Sequence, residues 1–241
     1  MGLSPTQDPL IRRLRRALVP IDHGKTFDLS NLAQLFCRWG VNTSPERTRA
    51  KLIALLCVLG AFRVSAATLP LFNDVTINDS SSPRKLVVPV SGYKNDLYGD
   101  GLTVPIFECS EAALCPVRTF QRWSEQTAHI HERTRNCRIV FELQRPFNRL
   151  QPDRCAEILK GVAREADLDT AAFTAKTFRK SGIMAGIRAG VEPDALFRLG
   201  GWRDPNTFWR HYVVRQVPSS YSDILFNVDS DRDDANSDAD L

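Results

Sequence analysis

"TAKTFRKSGIMAGIRAGVEPDALFRLGGWRDPNTFWRHYV", residues 174–213, reads as three short helices separated by glycines. Thr174, Pro193 and Asp204-Pro205 are starting signals: Thr and Asp side chains accept from the free N–H groups of a first turn, and proline lacks the N–H that such a turn leaves unused. Gly190 and Gly200-Gly201 are the stops. Lys176 and Arg179 stand near the start, Trp202 follows the glycine pair, and Tyr212 comes ten residues after Trp202. Four residues after Phe208, a tyrosine in isolation reads as a half-buried helix aromatic with a polar tip. Whether Tyr212 does more depends on what stands upstream.

Upstream, Ser44 and Pro45 are N-cap and first helical residue of a stronger helix, in which Leu52, Leu55, Leu56 and Leu59 recur at i, i+3, i+4 and i+7; Gly60 marks its end. It is the expected central core helix. Leu32 to Trp39 reads as a helix ending near Gly40, and residues 116–128 and 152–166 read as two more, the second with Cys155, Ile158, Leu159, Val162 and Ala166 on one face. Between them the period changes. "LVVPV" and "LTVPI", within residues 86–106, are β-type runs separated by the turn formers of "SGYKNDLYGDG", which predicts a hairpin with a long tip. Residues 8–19, "DPLIRRLRRALV", place Leu10, Ile11, Leu14 and Leu18 on one helical face and four arginines mostly on the other. The order helices, small sheet, helices predicts a mainly α (α+β) domain.

Across 241 residues, with 43% hydrophobic and 25% charged, the composition is that of an ordinary globular protein with one core. The longest apolar run, "LIALLCVLGAF" at 52–62, is short of the roughly 20 residues a membrane span needs. No signal-type stretch follows the basic N-terminus, so an intracellular chain is expected. Six cysteines without CxxC or histidine pairs signal neither zinc nor a disulfide framework, and reduced, mostly buried thiols are expected. The net charge of +4 is uneven: residues 227–241 hold six Asp against one Arg, a net of −5, which leaves +9 on the rest. Such a body suits a polyanion as well as plain solubility, and the acidic tail reads as disordered.

The 174–213 stretch resembles the C-terminal signature of the tyrosine recombinase (phage-integrase) family. Lys176-Thr-Phe-Arg179 matches its HxxR-type motif, Gly201-Trp202 its glycine-plus-His/Trp motif, and Arg210-His211-Tyr212 its nucleophile. "LIALLCVLGAFRVSAATLPLF" looks like the family's first arginine motif, with that arginine at Arg63, and "VSGYKNDLYGDGLTVPI" like its hairpin lysine motif, with the lysine at Lys94. Five motifs in order, over about 150 residues, make the match specific. The spacing from Trp202 to Tyr212, with "CPVRTFQRW" and "GWRDPNTFWRHY", looks more like the eukaryotic transposon recombinases of the DIRS-type and Crypton groups.

The resemblance implies a catalytic set of Arg63, Lys94, Lys176, Arg179, Trp202 and the nucleophile Tyr212. The chemistry suits these types. Attack on a phosphodiester builds a crowded, more negative phosphorane, and arginines give planar, permanently charged donors for its oxygens. A hairpin lysine can hand a proton to the departing 5′-oxygen, and a tyrosine can hold the DNA as a phosphotyrosyl ester, so neither ATP, metal nor other cofactor is required. Trp202 is expected to pack against the site and to donate its indole N–H to a phosphate oxygen. Lys176 replaces the more usual histidine and, while protonated, is a poor base for the phenol, which points to slower cleavage. Ala66 stands where many relatives carry an acid that braces the first arginine.

Expected domains are 1–30, a basic helix and linker, too short for the family's N-terminal DNA clamp; 31–226, the catalytic domain; and 227–241, the acidic tail. Weak, strongly salt-dependent binding to double-stranded DNA follows from the missing clamp. "SSYSDILF" at 219–226 carries apolar residues that, by the resemblance, pack into a neighbouring protomer of a tetramer on DNA, or else fold back on their own domain. Three readings stay open: a site-specific recombinase of a mobile element acting in the nucleus, a decayed or domesticated DNA-binding module of the same fold, and a strand-relaxing topoisomerase of the same chemistry.

Overall fold

In the computed structural model, residues 26–212 are described, apart from 94, 95, 97, 132–135, 172 and 175 and the side chains at 131, 210 and 211. Lys94, the basic helix expected at 8–19, the 219–226 segment and the acidic tail lie outside the described residues.

Among those residues the chain runs α1 (Leu29–Trp39), α2 (Pro45–Leu59), α3 (Val64–Ala67), a 3-10 turn (Phe72–Asp74), β1 (Thr76–Asn78), β2 (Lys85–Val90), β3 (Leu102–Phe107), α4 (Pro116–His131), α5 (Pro152–Glu165), α6 (Thr177–Arg188), α7 (Pro193–Leu199) and α8 (Pro205–Tyr212). This is the mainly α class with a small antiparallel sheet that the sequence predicts. The local signals act where they stand. Asp28 caps α1 by accepting from the Ser30 N–H, Ser44 caps α2 by accepting from the Arg47 N–H, and Gly40 and Gly60 close the two helices.

Helix α2 is the centre of the fold: Leu52, Ile53, Ala54, Leu56 and Cys57 have almost no exposed surface. Burial runs around the whole helix rather than along one stripe, because α4, α5 and α6 all pack on it. Leu59, expected in the core by its spacing, is 40% exposed, since it lies on the last turn before Gly60 breaks the helix. On α6, Gly182 takes the place of closest approach. A Cβ there would stand 2.2 Å from the Val58 carbonyl oxygen, so only glycine lets α6 lie this close to the end of α2. That contact brings the start of α6, with Arg179, beside the chain that leaves α2, with Arg63.

The predicted hairpin is β2–β3, in the register Leu86↔Ile106, Val88↔Val104, Val90↔Leu102. Alternation sends Leu86, Val88, Val90, Val104 and Ile106 into the core. A third strand, β1, adds to the far edge of β2 and pairs only with Lys85–Val87. Pro89 therefore sits in the central strand beyond β1's reach, where its missing N–H costs no ladder bond on that side. The sequence reading contained no β1, whose three residues are too short for a period.

The cysteines divide: Cys57, Cys115 and Cys155 are buried, Cys137 is half-buried, and Cys37 and Cys109 lie at the surface, so the expectation of mostly buried thiols holds for half of the set. Burial pushes the Cys57 and Cys155 thiols up to about 12.

Candidate active site

Arg63 follows the end of α2 and precedes α3, at the one place where the core helix gives way to a turn. Its backbone is extended, and its carbonyl accepts the first N–H bonds of α3, from Ala66 and Ala67. The side chain is half-buried and lines a cavity with Ala66, Val90, Tyr93, Arg179 and Gly200. Core helix, hairpin base, α6 and the turn after α7 thus meet around one opening.

Arg179 is the buried member, only 6% exposed. One guanidinium N–H donates to the Gly200 carbonyl at 3.0 Å, and the guanidinium carbon lies 3.8 Å from the ring centroid of Trp202. The Tyr212 hydroxyl lies close enough to act on the same group. Loss of hydration pushes Arg179 down to about 10; the Tyr212 oxygen opposes that shift and the nearby Arg63 charge adds to it. The guanidinium therefore remains a cation at neutral pH. No carboxylate among the described residues pairs with Arg63 or Arg179, and none lines the cavity. Two positive groups with one wall between them and no acid to neutralise them form a site for an anion.

The Gly200-Gly201 turn makes this arrangement possible. A Cβ on Gly200 would sit 1.7 Å from the Trp202 ring, and Gly201 has φ of 62°, in the left-handed region. With both glycines in place the chain folds sharply enough to lay Trp202 over Arg179 while offering the Gly200 carbonyl to the same guanidinium. Asp204 then starts α8, accepting from the N–H groups of Asn206 and Thr207 and from the Thr207 hydroxyl. Phe208, fully buried, holds α8 down: Tyr212 stacks on it with ring centroids 5.3 Å apart and meets Trp202 edge-on at 5.2 Å.

The structure brings together four of the six residues singled out in the sequence: Arg63, Arg179, Trp202 and Tyr212. Trp202 packs against the site through its ring face, which covers the Arg179 guanidinium. Lys176 does not join the group. It is exposed at the N-cap of α6 and outside the cavity wall. Lys94 lies outside the described residues, but its neighbour Tyr93, which the sequence reading passed over, lines the cavity. The signal for Tyr93 was weak: one aromatic beside a lysine in a glycine-rich turn.

By sequence the chain matches no family model and no curated protein. By structure it is similar to solved recombinases. The XerH site-specific recombinase bound to palindromic difH substrate in a post-cleavage complex superposes with a TM-score of 0.61 at 12% identity, covering 78% of this chain and 49% of that one. The pre-cleavage complex with difH gives 0.60 at the same identity and coverage. The XerA recombinase gives 0.58 at 12% identity, over 88% of this chain and 66% of the other. The chain spans about half the length of the XerH recombinase, and what is shared at this identity is the fold.

Proposed function

We propose that the chain is the catalytic domain of a tyrosine-type DNA recombinase, which cuts a DNA strand by forming a 3′-phosphotyrosyl ester and rejoins it by the reverse step. One observation carries the proposal: two guanidinium groups share a cavity without a carboxylate, and Tyr212 stands close to one of them, its ring edge-on to the Trp202 ring that covers that guanidinium. A phosphodiester seated between Arg63 and Arg179 is poised for attack by the Tyr212 hydroxyl, with both arginines donating to the non-bridging oxygens as charge develops. The new P–O bond forms to Tyr212 as the bond to the 5′-oxygen breaks. The phenolic proton leaves to water, and Lys94 protonates the departing oxygen. Trp202 keeps Arg179 in place and dehydrated, which strengthens its pull on the phosphate.

The +9 charge outside the acidic tail supports double-stranded DNA as the partner, and the fold likeness to recombinases solved on their difH sites supports the same. The finer reading is a relative of the DIRS-type and Crypton recombinases, serving a mobile element in the nucleus and assembling as a tetramer through residues 219–226. It rests on the sequence motifs. A second reading, a DNA-binding module that has lost cleavage, is favoured by one observation, the exposed position of Lys176 outside the cavity.

A nicked suicide duplex separates the two. The recombinase yields a protein–DNA adduct that survives a denaturing gel and is absent from Tyr212→Phe. A module yields a salt-sensitive mobility shift and no adduct. Nicking without sequence preference that relaxes supercoils would identify the topoisomerase variant.

A further inference from the structure

The hairpin tip between β2 and β3 contains an acid that the proposed chemistry does not use. Asp96 accepts from the Gly92 N–H at 2.8 Å through one carboxylate oxygen and from the Gly101 N–H at 3.1 Å through the other. The N–H groups of Gly99 and Asp100 also turn toward it, and together these bonds hold the carboxyl below its usual range. Its own N–H donates to the Tyr93 carbonyl at 2.8 Å. Gly92, Gly99 and Gly101 all have positive φ, so the backbone curls around this one side chain. A single carboxylate thereby closes a loop whose two ends are the last residue of β2 and the first of β3.

Two consequences meet at the cavity. Tyr93, tied to Asp96 through its carbonyl, lines the opening with Arg63 and Arg179, and its hydroxyl lies against Gly201. Leu102, just past the other end of the loop, lines the same opening. The tip is therefore fastened to the wall of the anion site on both sides, and in the sequence Lys94 directly follows Tyr93, two residues before Asp96.

We propose that Asp96 is a positioning residue: by gathering the N–H groups of Gly92 and Gly101 it holds Tyr93 against the phosphate cavity and keeps in one form the loop whose sequence contains Lys94. This rests on the reading of Lys94 as the proton donor to the leaving 5′-oxygen. In that step the P–O bond to Tyr212 forms, the P–O5′ bond breaks, and the Lys94 ammonium gives its proton to O5′. An ammonium on a floppy tip spends little time in line with the leaving oxygen, so opening the tip slows cleavage through the acid alone.

The test uses the full chain, Asp96→Ala, Asp96→Asn and Lys94→Ala, with suicide duplexes carrying either the ordinary phosphodiester or a 5′-bridging phosphorothiolate. A thiolate leaves without protonation, so a defect confined to proton delivery disappears on the sulfur substrate. Asp96→Ala is expected to cleave the ordinary duplex at least about 10-fold more slowly and the phosphorothiolate at close to the wild-type rate, with Asp96→Asn between. An equal loss on both substrates would overturn the proposal. If Lys94→Ala is itself not restored by sulfur, the reading of Lys94 fails instead. A second measurement does not need cleavage. Amide hydrogen exchange across residues 91–101 is expected to speed up about 10-fold or more in Asp96→Ala with the rest of the chain unchanged, and unchanged exchange in the tip would overturn the proposal even in an inactive protein.

Discussion

Among the described residues there are two hydrophobic clusters of unequal size. The larger takes in α1, α2, the sheet, α4 and α5, with Trp123, Phe36, Phe141 and Phe178 all but inaccessible. The smaller has four buried residues, Ala61, Ile183, Leu196 and Phe208, with Trp202 and Tyr212 packed at its edge. Phe62 and Val64, on either side of Arg63, and the hairpin belong to the first. The Gly200-Gly201 turn and Tyr212 depend on the second. The larger cluster is tied down by polar bonds as well: the Trp123 indole donates to the Ile139 carbonyl, the Arg49 guanidinium to the Phe141 carbonyl, and the Lys51 ammonium to the Phe36 and Gly40 carbonyls that end α1. The anion site thus has a stiff wall that carries Arg63 and a lightly built wall that carries the nucleophile, together with the Gly200 carbonyl and the Trp202 ring that hold the Arg179 guanidinium. A nucleophile held by few contacts can dock and leave without disturbing the body.

The sharpest break of this contrast comes from the large cluster. Trp123→Ala removes a buried ring and its hydrogen bond, and is expected to cost about 3–5 kcal/mol in a denaturant titration followed by circular dichroism. Gly182→Ala attacks the joint between α2 and α6. Its methyl meets the Val58 carbonyl, so a loss of about 1–3 kcal/mol is expected, with a neutral result showing that α6 can shift and the contact is not a constraint. Phe208→Ala tests the small cluster. The global midpoint should move by less than about 1 kcal/mol while amide exchange in 205–212 accelerates strongly. A global loss as large as that of Trp123→Ala would show that the two clusters unfold as one.

The smallest effect concerns Lys51. Burial pushes its ammonium down to about 8 from an ordinary value of 10.5. Above pH 8 the unfolded chain therefore binds more protons at this residue than the folded one, and stability contributed by Lys51 rises with pH. The buried thiols act in the opposite sense from about pH 9, where they ionise only in the unfolded state. The clean window is pH 8–9, in which wild type should gain up to about 1 kcal/mol relative to Lys51→Met. A flat difference between the two would mean that Lys51 is as hydrated as a surface lysine.

Much of this architecture was legible because its causes are local. Ser44-Pro45, Gly60, Pro193 and Asp204-Pro205 mark helix ends by their own chemistry, and the structure places ends at each of them. The hairpin was legible because Leu86, Val88, Val90, Val104 and Ile106 alternate. What escaped the sequence depends on residues distant in the chain. Tyr93 matters through Gly201, more than a hundred residues later, and the Trp202 ring covers Arg179, more than twenty residues earlier. Lys176 and Arg179 share a motif, yet only Arg179 faces the cavity, because the helix begins between them and leaves Lys176 at the exposed N-cap.

The central claim is that the phenol beside Arg179 is the group that takes up a DNA strand. Protein trapped on a nicked suicide duplex, digested with nuclease and protease and read by mass spectrometry, tests it most directly. The account predicts a nucleotide remnant joined through its 3′-phosphate to Tyr212, and none in Arg179→Ala. A remnant on any other residue, or an adduct that persists when Tyr212 is phenylalanine, would contradict it.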